Sequence, residues 1–516
     1  MKRHVVMLAI LVLAVSMTLP VLGLAQGGEP VYGGTLVVAM PAEPSHFDLH
    51  GTTLNYSRYI AWHALETLFT MDENFKPVPL LAKGYTLSED SKTYTIQLRE
   101  GILFHNGDEM TAEDAVASIQ RCKDRGTLLG GFNVKEIRQT GKYSLQIELF
   151  SPMGMIINAL AVNRYAVVVL PKEIVEAAGT ENYITDYVGT GPYVFSEWRK
   201  GQYVLLERFD EYQPREEAPN GYGGARVPYL DKIKIMFVAE PSVRAVGVES
   251  GDFHIAWPLT PDDRMRLAGN PEVDVVLSAP WMYSLIFSNK SEGAGGNRDM
   301  RRAIQAAVDC DEIMEGVVGD PEAYRLDPGI MWVETAWHSR VGEELYNQAN
   351  PSRAREILDE MGYGGEPVRI VTSTTEYALL NIALILEQQL EAVGINVDLQ
   401  TYDMATSKEV LRDPQRWDLS PLDSTYRTHP LMHTSIDGAK SPGWVHAGKD
   451  ALVEALYLET DPDEAFEIWE AIHALYYTDV PIIKLGDFYD LIAVRDEVKG
   501  YTNLPEFYFW NVWLDG

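Results

Sequence analysis

The sequence predicts an α/β protein built in two parts, and three features of its texture carry that expectation. The N-terminal half is rich in β-favouring alternation with helices interspersed. From Met300 onward, helical and strand patterns alternate. The last forty residues return to strand-forming and aromatic character. A chain of 516 residues is too long for one core and implies two or three domains. With 46% hydrophobic and 10% aromatic residues it has ample material for buried cores, which excludes wholesale disorder.

The first segment opens on Lys2, Arg3 and His4, runs apolar from Val5 to Val15 and closes with Gly23-Leu24-Ala25. A basic start, a short apolar middle and a small-x-Ala exit read as a secretory leader over residues 1–25, with the mature chain starting near Gln26. The apolar run is too short to cross about 30 Å of hydrocarbon, and no other stretch approaches the ~20 apolar residues of a spanning helix. No Cys lies near the cleavage point, so an exported, periplasmic protein without a lipid tether is expected.

Beyond the leader, Thr35-Leu-Val-Val-Ala39 is a short buried strand ended by Pro41 and Pro44. The alternation Tyr94-Thr-Ile-Gln-Leu98 follows a hairpin turn at Ser88-Glu-Asp-Ser91. Thr111 then caps a helix running through Ala115–Cys122, with Glu113 and Asp114 at the positive end of its dipole. Tyr143–Phe150 alternates as a strand. Gly189-Thr-Gly-Pro192 breaks the chain before a strand pair, Tyr193–Trp198 and Tyr203–Phe209, and a Gly/Pro/Asn-rich loop spans Pro214–Pro228. Ile233–Val238 is a strand and Pro241–Ser250 a helix. Arg301–Val308, Ser352–Met361 and Ala378–Val393 read as helices, and Val368–Thr372 and Val397–Thr401 as strands. Gly394 sits just past a helix end, so this half reads as parallel α/β units. The seam falls near residue 280. Ile482–Leu485 and Tyr508–Trp513 are expected to cross back and complete the first part's sheet.

Formal net charge is −32, which repels phosphate backbones and anionic lipid, so neither nucleic acid nor a membrane surface is an expected partner. The acidity itself is read as solubility. Cys122 and Cys310 both fall in helix-like stretches, Ala115–Cys122 and Arg301–Cys310, and are read as two buried thiols. Metal-ligand spacing of the Cys-x-x-Cys kind is absent from the sequence.

Four spaced blocks carry a family resemblance. The run from Ala82-Lys-Gly-Tyr-Thr-Leu-Ser-Glu-Asp-Ser91 to Phe104-His-Asn-Gly107, followed by Thr111-Ala-Glu-Asp114, resembles the signature of family 5 extracytoplasmic solute-binding proteins, the receptors of dipeptide, oligopeptide and nickel ABC importers. Gly189-Thr-Gly-Pro-Tyr193 with Phe209-Asp-Glu-Tyr212, Arg301-Arg-Ala-Ile-Gln-Ala-Ala-Val-Asp309 and Val498-Lys-Gly-Tyr501 are similar to the same family, in its order. The resemblance implies a two-lobed periplasmic-binding-protein type II fold with an extra N-terminal subdomain, of the cluster C type. It implies one lobe from 26–62, 186–283 and 487–516, a subdomain at 63–185, and a second lobe at 284–486. A small solute, foremost a short peptide or peptide-like compound, would be gripped between the lobes and passed unchanged to the membrane permease subunits of the importer. No cofactor is implied, and a monomer is expected. An oligosaccharide or opine-like conjugate is the alternative ligand; a nickel or metal chelate ranks lower.

Several residues are candidates for the ligand site. In peptide-binding relatives an aspartate four residues before a proline pairs with the ligand's α-ammonium group; in Trp417-Asp-Leu-Ser-Pro-Leu-Asp-Ser-Thr-Tyr-Arg-Thr-His-Pro430 that position is Tyr426. Asp423 lies three residues earlier and would substitute only with a rearranged loop. Arg427 offers a fork for a carboxylate or phosphate, or else stands solvated; Tyr426 offers a ring to stack on, and His429 completes that loop. By resemblance, Trp257 faces the cleft, Trp281 and Tyr283 lie where the chain crosses between lobes, Trp444 sits on a second-lobe loop, and Glu43 and His46 lie at the first-lobe cleft edge. His105 is read as a turn residue. His429 and His433 have the spacing of one helix face, but Pro430 favours the first helical position and turns His429 away, against a metal site.

An enzyme is the rival class. Gly-x-Ser-x-Gly, His-Glu-x-x-His and Gly-x-x-x-x-Gly-Lys-Ser/Thr are missing, and among 75 carboxylates any pair is weak evidence for glycoside hydrolysis. A receptor that is not an enzyme is therefore expected.

Overall fold

A computed structural model of the chain describes residues 28–52, 54–128, 130–162, 166–433, 435–436 and 443–515; the leader expected over 1–25 lies outside them. The apolar run Thr35–Met40 forms a strand held in parallel register by Lys232–Phe237 on one side and Ile255–Leu259 on the other. It belongs to an eleven-stranded sheet that passes through both parts of the molecule. From one edge the strands run Val397–Tyr402, Val368–Ser373, Leu419–Ser424, Val273–Phe287, Ile482–Arg495, Ile255–Leu259, Thr35–Met40, Lys232–Phe237, Tyr203–Arg208 and Tyr193–Arg199; Tyr324–Arg325 pairs with Ile482–Arg495 off this path.

Two strands in that order join the two ends. Val273–Phe287 and Ile482–Arg495, of 15 and 14 residues, pair antiparallel over their whole length. Their register shifts between Leu277 and Pro280 and again between Tyr283 and Ser284. Pro280 has no N–H to give the ladder, so an interruption there is expected. The second of these strands also pairs with Ile255–Leu259, which carries the chain's last strand-rich segment back into the N-terminal sheet.

On the C-terminal side, helices Arg298–Ala307, Cys310–Val318, Pro351–Met361 and Tyr377–Ala392 bury Ile304, Ile313, Ile357 and Leu386 against Leu285, Ile370 and Leu419 of the sheet. On the N-terminal side a separate four-stranded sheet (Ala82–Leu87, Thr93–Leu98, Ser144–Leu149, Val134–Gly141) packs against helix Ala112–Asp124. Thr111 and Asp114 form the capping box that starts this helix, satisfying backbone N–H groups left free by its first turn.

The blocks behind the family resemblance turn out to be scaffold. Thr190 and Tyr212 both donate to Glu66, at 3.0 and 2.9 Å, and Glu66 also meets the buried Arg226 at 3.2 Å. A Cβ on Gly189 or Gly191 would run into the backbone of Ala64 and His63, so close approach, rather than a special turn, demands glycine there. His105 lies in the same junction: its ring accepts from the Gly189 N–H at 3.3 Å and meets the Gly191 carbonyl at 3.0 Å. Arg301 binds the carbonyls of Gly295, Gly296, Asp479 and Val480.

Two elements differ from the sequence reading. The helix expected through Cys310 stops at Ala307, because Asp309 takes the N–H groups of Asp311 and Glu312 at 3.1 Å and starts a new helix. Both thiols are buried nonetheless, and burial pushes Cys122 up to about 12. Tyr508–Trp513 is not a strand: Tyr508, Phe509 and Trp510 are buried core aromatics, and only Trp513–Leu514 pairs. Asn511, at φ 62°, breaks the extension there, and its side chain bonds Val227 and Ala225.

Candidate ligand site at the crossover

The sequence-predicted residues gather where the two long strands cross from one part to the other. Tyr283, on the first, lies opposite Asp423 of Leu419–Ser424 and, across the other edge, opposite Gly486. Its ring stacks on Phe488 at 3.9 Å and 9°, and Trp281 lies 6.0 Å from Phe488 on the same side. Side chains two residues apart share a strand face, so Asp490 stands beside Phe488. Asp490 accepts the Trp257 indole N–H at 3.1 Å. Trp257 is itself held edge-on by Tyr59 and Phe507, at 5.4 and 5.0 Å, with Tyr56 at 5.8 Å.

Three carboxyl groups, Asp423, Asp490 and Glu376, act on the Tyr283 phenol from this cluster, and Asp423 acts on both of the others. Asp490 keeps only partial contact with water; burial pushes its carboxyl up to about 6, with Asp423 adding to the rise and the Trp257 bond opposing it. Burial also raises Glu376, just ahead of helix Tyr377–Ala392, and Asp423 raises it further while Lys408 opposes. Asp423 is exposed, so although the surrounding protein raises its carboxyl, against Arg427 and Lys408, water offsets much of that rise. The Asp423–Asp490 repulsion falls on Asp490, adding to the rise that burial causes there. Burial, then the same three carboxyls, hold the Tyr283 phenol well above its usual range. Among the described residues none of the three makes an ion pair. Asp487, by contrast, is met by Lys484 and Arg325, each at 2.7 Å. A cluster with unmatched negative charge and stacked aromatic walls suits a cationic group with apolar surface beside it.

Tyr426 lies in the adjoining seam. Its ring packs on Phe75, 4.8 Å away in the turn between Phe69–Met71 and Pro77–Pro79, and on Trp332 at 5.1 Å. A cavity of about 10 Å3, room for one water, remains beside it, lined also by Trp62, Tyr222 and Met432. The Tyr426 hydroxyl is enclosed without a hydrogen-bond partner among the described residues.

The structure gives the other candidates different work. The Arg427 guanidinium, 7% exposed, turns back onto the carbonyls of Thr425 and Tyr426 at 2.6 and 3.1 Å, so it braces its own loop and presents no open fork. His429 caps the short turn Pro430–Met432 by accepting from Leu431 N–H and packs on Trp337, whereas His433 stacks on Trp332; the two rings do not share a face. Burial lowers both to about 3. Trp444 corrects the expectation of a ligand-facing loop residue: it is 1% exposed and donates to Asp479 at 2.6 Å inside the C-terminal part. Glu43 ties down the hairpin of Tyr193–Arg199 and Tyr203–Arg208, accepting from Trp198 and Gly201 at 2.7 and 3.0 Å. His46 stacks on Tyr183 at 3.8 Å, apart from the crossover.

Glu376, Phe488 and Asp490 escaped the sequence reading. The available signal was three charges, Lys484, Asp487 and Asp490, inside an otherwise apolar strand run. A charge in such a run needs a partner or a role.

Comparison with known proteins settles the family. Residues 76–430 match the family model described as bacterial extracellular solute-binding proteins, family 5 Middle. The chain belongs to that family. It is 26% identical over 503 residues to the glutathione-binding protein GsiB of Escherichia coli, covering 91% of this chain and 92% of that one. It is 24% identical over 470 residues to the probable peptide ABC transporter periplasmic-binding protein y4tO of Sinorhizobium fredii, covering 86% of each. In fold it is similar to the oligopeptide-binding protein AppA of Bacillus subtilis, solved with a nonapeptide: TM-score 0.75, 21% identity, 95% of this chain and 100% of that one. The fold is thus the two-lobed periplasmic-binding-protein type II arrangement, and the family's members are solute-binding receptors. Among the described residues no helix is long and apolar enough to cross a membrane.

Proposed function

We propose that this solute-binding protein is the receptor of an ABC importer for a peptide-like solute carrying a free ammonium group. Exported by its leader, it would hand that solute to the permease chemically unchanged. In this reading Asp423 and Asp490 receive the ammonium from either side of the Val273–Phe287 strand. Glu376 contributes charge from the helix end, and Trp257 with the Tyr283–Phe488 stack supplies the apolar wall. The lobes are then 26–62 with 186–283 and 487–516, and 284–486, with 63–185 as the extra subdomain. Closing the cleft is a hinge motion that the solute favours by touching both lobes together.

The observation that carries the reading is the set of carboxyl groups without ion-pair partners, among the described residues, at the crossover. The relatives' names, a glutathione-binding protein (GsiB), a probable peptide transporter component (y4tO) and an oligopeptide-binding protein (AppA), agree with it. Tyr426 stands where peptide-binding relatives place their ammonium-binding aspartate, so the charge would come from neighbouring strands.

Native mass spectrometry of the purified chain identifies a carried solute. Calorimetric titration then compares a peptide having a free N-terminus with its N-acetylated form. Losing the charge-assisted contact, by acetylation or by Asp423→Asn, is expected to weaken binding at least ~tenfold. Equal affinity for the free and acetylated peptides would overturn the ammonium assignment, and product formation would overturn the receptor reading.

A further inference from the structure

We propose a second site, for an oxyanion, on the C-terminal part of the molecule, where Arg298, Arg302 and Arg353 line one cavity with Gln305, Gln348 and Thr478. The ligand class is a carboxylate or phosphate, bound independently of the crossover cluster.

Each arginine stands where local physics disfavours it. Arg298 is the first residue of helix Arg298–Ala307, a cation at the positive end of the helix dipole. Arg302 follows four residues later on the same stripe, where like charges repel, and Gln305 continues that stripe. Arg353 sits in the first turn of Pro351–Met361, again at a positive helix end. The carboxylates at hand answer these charges weakly. Asp299 reaches Arg302 at 3.4 Å, and Glu356 and Glu360 reach Arg353 at 2.9 and 3.7 Å, with those three carboxylate side chains 55%, 62% and 69% exposed. Exposed pairs of this kind contribute little. The Arg298 side chain makes no hydrogen bond or ion pair among the described residues.

Acidic residues outnumber basic ones by 75 to 43 in this chain, so three guanidinium groups on one cavity run against its overall composition. Several locally unfavourable choices converging on one cavity point to a ligand that relieves them. Its volume is about 130 Å3, against the ~10–15 Å3 that one water needs on the same measure. That accommodates a small oxyanion with some of its water. Guanidinium forks bind such groups through two parallel hydrogen bonds.

The test is calorimetric titration of the full chain with inorganic phosphate and, separately, with citrate, at an ionic strength fixed by chloride. Saturable one-to-one binding is expected. Arg298→Gln, at an exposed side chain without a partner among the described residues, should weaken it, and Arg298→Gln/Arg302→Gln should weaken it at least ~tenfold. Asp423→Asn should leave it unchanged, which separates this site from the crossover. Tighter binding of phosphate or of citrate identifies which oxyanion the cavity prefers. Heats no larger than those of chloride, or equal affinity in the wild type and Arg298→Gln, would overturn the proposal.

Discussion

Asp490→Asn should make the unliganded protein more stable at neutral pH while weakening its hold on a cationic solute. The carboxyl of Asp490 rises from its ordinary 3.8 to about 6 in the fold. At 1.36 kcal/mol per pH unit, that corresponds to about 3 kcal/mol of destabilisation once the group is ionised in both folded and unfolded chains. The side chain keeps partial contact with water, so this is a ceiling and about 1–3 kcal/mol is the expected range. The sign follows from the raised value. Below pH 3.8 both states are protonated and the term vanishes. Between 3.8 and 6 the folded state holds the proton the unfolded state has lost, so the group's contribution to stability falls as pH rises. Above 6 the destabilisation is complete. Asparagine keeps an oxygen for the Trp257 indole, 3.1 Å from the present acceptor, and removes the charge. Unfolding of wild type and variant by urea at steps from pH 4 to pH 8 gives the difference directly. It should be near zero at pH 4 and favour the variant by the stated amount at pH 7 and above. A difference that does not change with pH, or a variant less stable at pH 7, would refute the electrostatic account of this cluster.

Two further substitutions separate packing from binding. Tyr426→Phe deletes a hydroxyl that has no partner among the described residues, so chemical denaturation should find it neutral or more stable by up to about 1 kcal/mol; a loss of solute affinity without loss of stability would show instead that the hydroxyl meets the ligand. Trp444→Phe removes the donor to Asp479 at 2.6 Å and should cost about 1–3 kcal/mol in denaturation, with solute affinity by calorimetry unchanged.

What the sequence disclosed and what it withheld divide by the range of the physics. Thr111 with Glu113 and Asp114 announces a helix start that depends only on neighbours, and the helix begins at Ala112. Pro241 opens and Gly251 closes a helix whose bounds follow from φ alone. Asp309 is also local, but its role as a second cap is masked by the apolar periodicity on either side. The crossover is different in kind. That Tyr283, Asp423 and Gly486 share one level depends on register between strands about 140 residues and more apart. Asp487 and Asp490 look alike in the run Leu485-Gly-Asp-Phe-Tyr-Asp490; only the fold gives the first Lys484 and Arg325 and leaves the second beside Asp423. Trp444 and Trp257 are equally silent, since an indole in sequence reads the same whether its N–H meets a core aspartate or one in the cluster.

The same two strands that hold the cluster also connect the halves of the molecule, and this links binding to closure in one step. Phe488 and Asp490 lie on one crossing strand, Trp281 and Tyr283 on the other, within or beside the register shifts where the ladder is interrupted. Glu376 approaches from a helix packed on the C-terminal side, whereas Trp257 belongs to the N-terminal sheet. Holding Glu376, Asp423 and Asp490 in this partly buried cluster without a cation costs desolvation first, which raises all three carboxyls, and repulsion from Asp423 second, which adds to the rise of Glu376 and Asp490. On the proposed reading, a cation removes that cost only in the arrangement where all three converge. Its free energy of binding is therefore a difference between closed and open states, the one quantity able to move their balance. Driving the closed fraction from 1% to 99% requires a preference of about 10^4-fold, or about 5.5 kcal/mol. Two charge-assisted contacts, each near the upper end of about 1.5–3 kcal/mol and made to Asp423 and Asp490 in the closed form alone, reach that value. A single contact does not, so removing either carboxylate should lower the closed fraction well below 99% with solute present.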